Sequence, residues 1–568
     1  MATMHETSPD KIEIKGSANA GIDIERTATT ATDQHGDCKE IPSESLTAGY
    51  HRSLTRRKVM MMTFGAGIGT GLWVGTGQAL HYAGPAGTAV AYTLTAARFS
   101  IIVYAQYSSI GEMTTYKPVH GGFIRQCIEY IDPAWGFAIG MNFWFAWVMI
   151  IPAEITAAVS VLQFWPETNA IPLAAYITIF LVVIGIGNTF HVRIYGYIEY
   201  YMSFIKCLAV ILMIFFMFIM TSGGIAATNG PIEFRYWINP GAFKNGIKGI
   251  AKAFVQAAFS FGGGEHIAVI AGEVANPRQT IKKTVRPVFW RMFTFFVVNI
   301  WLVGMCVPSD DTDLATASGT LGSPFVIAIR RAGVYPLAHV INGFIFLSVI
   351  SCGITSVYVA SRSLTAMADM NIIHPFFGRK DKQGRPYVSI IISLGLGGGL
   401  CYLNVNSIGV VVYGWFSSLV AIATLFEWSS CYISHLRFRQ GLKAQGKDLR
   451  TLPFQGFLTP WAQYLSLIIV VFIFGCEFYL ACWPFGGKGS VKSFFSSYLA
   501  APLFCFDYFA YKDQFYYKTR IVKPKDMDFT EAHYFDEEER LEELAEQERE
   551  DLNKSETWFK RARYLIFG

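Results

Sequence analysis

Apolar residues in this chain fall in runs too long for strands or for the core helices of a soluble domain. The first, Val59–Ala83, extends for 25 residues without Asp, Glu, Lys or Arg. At about 1.5 Å per residue it exceeds a hydrocarbon core of ~30 Å. Eleven further runs follow, near 86–113, 135–162, 171–189, 197–221, 250–272, 288–307, 337–361, 387–405, 408–434, 459–482 and 494–511. The pattern predicts an all-α integral membrane protein with twelve transmembrane helices in residues 51–512. Residues 1–50, rich in Ser, Thr, Asp and Gly, read as a disordered tail. No cleavable signal is expected, because a polar stretch precedes a span too long for a signal core. Residues 513–568 form a second tail, whose acidic run "EEERLEELAEQERED" (537–551) reads as a solvated helix.

Loop charge sets the expected topology. Loops 276–291, 362–386 and 435–450 each hold five Lys or Arg, whereas connections 163–170 and 404–407 hold none. All three basic loops follow even-numbered spans, which places them and both termini in the cytoplasm. Segments 222–249 and 308–336 are longer and mixed in charge, as outer loops can be.

Composition agrees with the pattern. The chain is 52% hydrophobic and 16% charged, against roughly 25% charged residues in soluble domains. Its ten cysteines show no CxxC and no regular spacing, so they read as small buried apolar residues with no metal or disulfide framework. A net charge of +5 spread in this way implies no nucleic-acid partner. No nucleophile–base pairing or metal-ligand spacing appears, so no enzyme, metal or cofactor is expected.

Within the first run, "GAGIGTGLWVGTG" (65–77) holds six glycines in thirteen residues. A nucleotide-binding reading fails on spacing, since position 70 is Thr and no GxxxxGK[ST] occurs. Close helix packing through Gly65, Gly69 and Thr76 is a second reading. A discontinuous helix is the third. Each glycine costs roughly 1 kcal/mol of helix propensity, and unwound backbone at membrane depth is tolerated only where it lines a cavity or is buried in protein. An inverted-repeat transporter would carry a partner break five spans later, and span 6 contains "AFSFGGGEHIAVIAGE" (258–273). Two such breaks suit a zwitterion. Helix N-termini offer N–H groups to a carboxylate, and exposed carbonyls accept from an ammonium.

The stretches "GAGIGTGLWVGTGQAL", "AGPAG" (83–87), "NFWFAWVMIIPAEITAA" (142–158), "YGYIEYYMSFIK" (195–206) and "FSFGGGEHIAVIAGEVANPRQTI" (259–281) resemble the fungal amino acid permeases of the amino acid–polyamine–organocation superfamily. So do "GEM" (111–113), "SPFVIAIRRAG" (323–333), "ASRSLTAMA" (360–368), "GRPYVS" (384–389) and "HLRFRQGLKAQG" (435–446). The resemblance covers roughly residues 50–512 and implies a proton-coupled plasma-membrane importer. Its core would be inverted repeats at about 59–221 and 250–434, with broken helices 1 and 6 and two extra helices at about 459–511. The proton gradient would drive it without a cofactor, and its cytoplasmic tails would meet trafficking and ubiquitination machinery.

Carried over to this sequence, the backbone of Ile68, Gly69, Thr70 and Gly71, with Ala66 and Gly67 beside it, would hold the substrate carboxylate. The backbone around Phe259, Ser260 and Phe261 would help hold the amino group. Gly262, Gly263 and Gly264 would shape the side-chain pocket. Charges inside spans are expensive and default to functional roles. Lys206, matching a lysine that sits near the broken first helix in the superfamily, is the leading proton-coupling residue, with Glu154 beside it. Glu265 is read as a substrate-site residue. Glu112, Glu273 and Arg362, near cytoplasmic span ends, read as gating or anchoring groups. The tryptophans Trp144, Trp147 and Trp415 are read as packing or interface residues.

Several positions depart from the family pattern. Gly65-Ala66-Gly67 stands where Gly-Gly-Thr is usual, and Gly262-Gly263-Gly264-Glu265 where Gly-Gly-Thr-Glu is usual. Ile354, Tyr197, Glu427, Arg98 and His266 also differ. A roomier, less hydroxylated pocket with acidic neighbours would suit a larger or cationic solute, so a carnitine or polyamine carrier is the alternative to an amino acid symporter. A non-transporting nutrient sensor is the third reading, disfavoured by the short N-terminal segment.

Overall fold

The computed structural model describes residues 56–547, except 96–99, 119–120, 191, 229, 263–273, 275–276, 316–321, 406–408, 486, 488, 513–518 and a few positions between 533 and 546. The expectations for Arg98, Gly263, Gly264, Glu265, His266 and Glu273, and for the tail 1–50, lie outside the described residues.

The described chain is helical. It begins with α1 (Arg56–Ala66), a non-helical stretch at 67–69, and a wide π-type turn at Gly71–Gly75. Next come α2 (Thr76–Thr93), α3 (Ser100–Tyr116), the short α4 (Gly122–Tyr130), α5 (Pro133–Leu162), α6 (Leu173–Thr189) and α7 (Val192–Thr221). The second half holds α8 (Gly246–Phe261), α9 (Pro277–Cys306), the short α10 (Pro324–Arg331), α11 (Tyr335–Asp369) and α12 (Tyr387–Cys401). It ends with α13 (Gly409–Ala444), α14 (Trp461–Cys482), α15 (Val491–Tyr498) and α16 (Ala500–Ala510).

Six of these helices are long and apolar enough to cross a bilayer: α5, α7, α11, α12 with the turn that follows it, α13 and α14. Shorter apolar helices occur at α6, in the second half of α9 and at α16. Outward-facing side chains of α7, such as Phe204, Leu212, Phe215 and Phe218, are more than half exposed. A continuous face of that kind belongs against lipid rather than water.

Local chemistry explains the helix ends. The Asp132 carboxylate accepts from Ala134 N–H at 2.9 Å and Pro133 occupies the first turn, so α5 starts sharply. Gly84 turns α2 through φ +76°, and a Cβ there would stand 2.8 Å from the Ala242 carbonyl oxygen. That corner separates the first two expected spans. Helices α4 and α10 fall in segments that hydropathy marks only as connections, because each is too short for a span. Helix α4 leaves Arg125, Ile128 and Glu129 partly exposed, whereas α10 buries Pro324–Ile329 all round and exposes only Arg330 and Arg331.

Helix α5 is the axis of the molecule. It is apolar all round, as a helix enclosed by others must be, and it packs mainly against α11 and α13, with α12, α4 and α16 around it. Away from α5, α2 pairs with α8 and α1 with α7. A second small core forms where the C-terminal segment docks. Met527 and Phe529 pack with Met113, Tyr130, Phe438 and Leu442. The Glu531 carboxylate lies 2.9 Å from both Lys117 Nζ and the Arg125 guanidinium. Described positions from Phe535 to Gln547 are helical.

Candidate functional site

The gap between α1 and the turn at Gly71 opens onto a cavity of about 50 Å³ at the centre of the helices. Its walls come from five places. Gly67, Gly69 and Gly71 supply bare backbone; Trp147, Ile150 and Glu154 come from α5; Phe259, Ser260 and Gly262 from the end of α8; Cys352 and Thr355 from α11, with Val420, Thr424 and Glu427 from α13. Residues three and four apart on a helix share a face, which is why 420, 424 and 427 reach the cavity together.

Glycine at 71 is a requirement of close approach. A Cβ there would stand 2.8 Å from Ser260 Cα, and the Ser260 hydroxyl bonds to the Gly71 carbonyl oxygen at 3.0 Å. The same hydroxyl lies 3.0 Å from Tyr92 Oη. The two interrupted segments therefore touch at Ser260, and they approach again where a Cβ at Gly75 would run into the Gln256 side chain. At Gly69 a Cβ would meet Cys352 Sγ at 3.0 Å and Glu154 Oε1 at 3.2 Å. At Gly262, the last position described in its segment, it would meet Thr424 Oγ1 at 3.2 Å.

Glu154 is buried on this wall, and Thr70 Oγ1 donates to its Oε1 at 2.9 Å. Its Oε2 has no hydrogen-bond partner among the described residues. A buried carboxylate oxygen left open is costly, so it marks a place where a donor is expected to arrive.

Behind the interruption sits a second polar cluster. Lys206 Nζ donates to the Gly65 carbonyl oxygen at 3.3 Å and to Cys352 Sγ at 3.4 Å. Glu199 Oε1 lies 3.9 Å from Lys206 Nζ, and Ser351 donates to Glu199 Oε2 at 2.9 Å. The Ile68 carbonyl oxygen accepts from Ser348 at 3.1 Å and from Cys352 at 3.5 Å. Among the described contacts, Lys206 thus reaches the cavity through Cys352, which lines it.

The sequence-derived residues are distributed unevenly around this centre. Gly67, Gly69, Gly71, Phe259, Ser260, Gly262 and Glu154 line the cavity. Ala66 is the last residue of α1. The ring of Phe261 packs on Phe296 at 4.7 Å and on Tyr92 at 6.1 Å. Glu112 is buried in a network of its own, accepting from Arg439 at 2.8 Å, from Gly456 N–H at 2.8 Å and from Thr459 at 3.0 Å, with His435 Nε2 at 2.7 Å. The Arg362 guanidinium lies 3.4 Å over the Tyr358 ring, which stacks on Tyr195 at 3.9 Å.

Three readings change. Trp147, expected to be packing, is a cavity wall, whereas Trp144 does pack, giving its indole N–H to Ser393 at 2.9 Å. Cys352 is a polar contact between Lys206 and the cavity rather than an apolar filler. Ile354 faces α6, where a Cβ at Gly187 would meet its Cδ1 at 2.9 Å, so its difference from the family pattern does not touch the site. Glu199 went unnoticed, although it precedes Lys206 by two helical turns with Ser203 between them, a spacing that puts all three on one face.

A family model described as "Amino acid permease" matches residues 58–523. The chain is 35% identical over 463 residues to amino-acid permease GAP3 of Candida albicans, covering 81% of this chain and 76% of that one. It is 38% identical over 469 residues to general amino-acid permease GAP2 of the same organism, covering 81% and 78%. It is 35% identical over 520 residues to the cationic amino acid transporter 1 of Schizosaccharomyces pombe, covering 90% and 85%. A match of that extent makes the chain a member of the amino acid permease family.

Proposed function

We propose that this protein imports amino acids across the plasma membrane by proton symport, with alternating access around the central cavity. In this reading twelve spans form inverted repeats with discontinuous helices 1 and 6, and the termini are cytoplasmic. The observation that carries it is the cavity wall itself. Bare backbone at Gly67–Gly71 faces Ser260 and Gly262, beside a buried carboxylate with one open oxygen. The substrate carboxylate would sit on N–H groups where the helix restarts, since a helix start has no preceding turn to bond them. Its ammonium would take carbonyl oxygens near Phe259–Phe261 and the open oxygen of Glu154.

Coupling would run through two groups. Glu154 takes the proton, and Lys206 with Glu199 senses whether the first helix is in place through the Gly65 carbonyl. Protonating Glu154 removes a charge that is expensive to bury, so the loaded and empty forms of the cavity differ in the charge they carry across the membrane. A cationic amino acid is the second reading, favoured by two carboxylates, Glu154 and Glu427, on the cavity wall with no Lys or Arg among the described lining residues.

Uptake into transporter-deficient cells tests both. Radiolabelled neutral and cationic amino acids, carnitine and spermidine are supplied at about pH 5 and about pH 7. The proposal expects amino acid uptake that is faster at the lower pH and loses that difference in Glu154→Gln. Failure to take up any amino acid, with the protein confirmed at the surface, would sink it. Uptake of carnitine or spermidine alone would move the substrate class instead.

A further inference from the structure

Away from the central cavity, one carboxylate is buried in a helix that supplies none of the described lining residues. Glu477, on α14, is 1% exposed, inside a helix apolar enough to span a bilayer. Its carboxylate takes the hydroxyl of Ser418 from α13 and faces the Lys252 ammonium of α8. Lys252 Nζ in turn donates to Ser418 Oγ at 3.5 Å. One serine therefore accepts from the cation and donates to the anion, linking charges on two helices through a third. Tyr498 of α15 and the adjacent Cys476 are the other titratable groups near the carboxylate. Among the described residues, Lys252 is thus the one cation that balances it. Charge in an apolar span is costly to keep, and where kept it is paired and used.

The placement gives the pair a role. Lys252 precedes Phe259 by seven residues, about 10 Å along α8, on the short helix that brings Phe259, Ser260 and Gly262 to the cavity. Ser418 lies on α13, which supplies Val420, Thr424 and Glu427 to the same cavity. Helix α8 stops at Gly262, whose backbone is extended, so its position rests on lateral contacts. Lys248, one turn before Lys252 and on the same face, makes another. Its Nζ donates to the Pro484 carbonyl oxygen at 3.0 Å, just past the end of α14, and lies 4.8 Å over the Phe485 ring.

We propose that Lys252, Ser418 and Glu477 form a charged tether that sets where α8 stands relative to α13, and hence the separation of two walls of the central cavity. Lys252 and Glu477 are positioning residues. Neither is among the lining residues, and each acts through the helix it holds. That the cavity so shaped receives a transported amino acid rests on the proposed function.

A double-variant cycle tests the tether in two readouts. In thermal unfolding of the purified full-length protein, Lys252→Met strands a buried carboxylate and lowers the melting temperature. Adding Glu477→Gln recovers most of that loss, which reports the coupling without any transport. The second readout is uptake of radiolabelled L-leucine, L-glutamine and L-arginine, normalised to surface protein. For each probe carried, Lys252→Met, Glu477→Gln and Ser418→Ala should raise KM about fivefold and keep Vmax within about twofold. The double variant keeps the raised KM although its stability returns, and Lys252→Arg, which retains the charge, keeps KM near that of the wild type. Should Lys252→Met alone fail to fold, a folded double variant shows the coupling, and Glu477→Gln and Ser418→Ala carry the KM comparison. Additive melting shifts, unchanged KM in both Glu477→Gln and Ser418→Ala, or a KM that returns with stability in the double variant would overturn the proposal. Coupled melting with no uptake of any probe would leave the tether standing and sink the transport reading instead.

Discussion

Adding a single methyl group at Gly71 separates a packing role for this glycine from a role at the junction of two interrupted segments. The Cβ of Gly71→Ala would stand 2.8 Å from Ser260 Cα, 3.0 Å from its Oγ and 3.2 Å from its Cβ. Favourable carbon contacts lie near 3.5–4.0 Å, so the segments must part by about 0.7 Å. The obstacle is helix backbone, which cannot swing aside as a side-chain tip can. Parting by that amount stretches the Ser260–Gly71 hydrogen bond from 3.0 Å past useful length. The bond is worth about 1 kcal/mol and overpacking adds about 1–3 kcal/mol. Together these cost about 2–4 kcal/mol at the junction, and since each 1.4 kcal/mol is tenfold, uptake should fall by more than tenfold at equal surface level. Initial rates of radiolabelled amino acid uptake, normalised to surface-biotinylated protein, give the readout. Gly343→Ala is the control, because a Cβ there meets nothing within 4 Å. Wild-type uptake in Gly71→Ala would refute the junction argument.

Other expectations follow from the same geometry. Lys206→Met leaves Glu199 buried without its cation, at a cost of about 3–5 kcal/mol; thermal unfolding in detergent should show that loss and its partial recovery in Lys206→Met with Glu199→Gln, and equal melting of the single and double variants would contradict the pairing. N-ethylmaleimide should block uptake through Cys352, with protection by transported amino acid and resistance in Cys352→Ser; inhibition unchanged in that variant would place the reactive thiol elsewhere. Phe529→Ala removes the ring that packs on Tyr116, Tyr130 and Phe438, and should release the segment around Met527–Glu531 to limited proteolysis while uptake-competent protein still reaches the surface. Unchanged cleavage would mean that Lys117 and Arg125 hold Glu531 without help from the ring.

Much of this architecture is legible in the sequence because a bilayer imposes a simple rule on the chain. Long apolar runs mark α5, α7, α11, α13 and α14 with little ambiguity, and two glycine clusters mark the segments that meet at Ser260. What escaped notice is physical in origin. Glu199 lies in a run whose only conspicuous charge is Lys206, and its relevance appears once α1 brings Gly65 against the same helix face. Trp147 differs from Trp144 by three positions and points to a different neighbour, a distinction that hydropathy does not carry. Helix α10 is eight residues long, so it leaves no periodic signature, yet it forms one side of a second cavity, about 470 Å³, toward the ends of α5 and α11. Ser348, Cys352 and Thr355 recur at helical spacing on α11, and that polar stripe within an apolar span was the available signal for the fourth wall.

The most direct measurement is the structure of the protein with a transported amino acid bound. The account predicts density in the central cavity, with the carboxylate within hydrogen-bond distance of backbone N–H groups between Gly67 and Gly71 and the ammonium near Glu154 and the end of α8. An amino acid held elsewhere, with Glu154 and the Gly67–Gly71 backbone untouched by ligand, would contradict it.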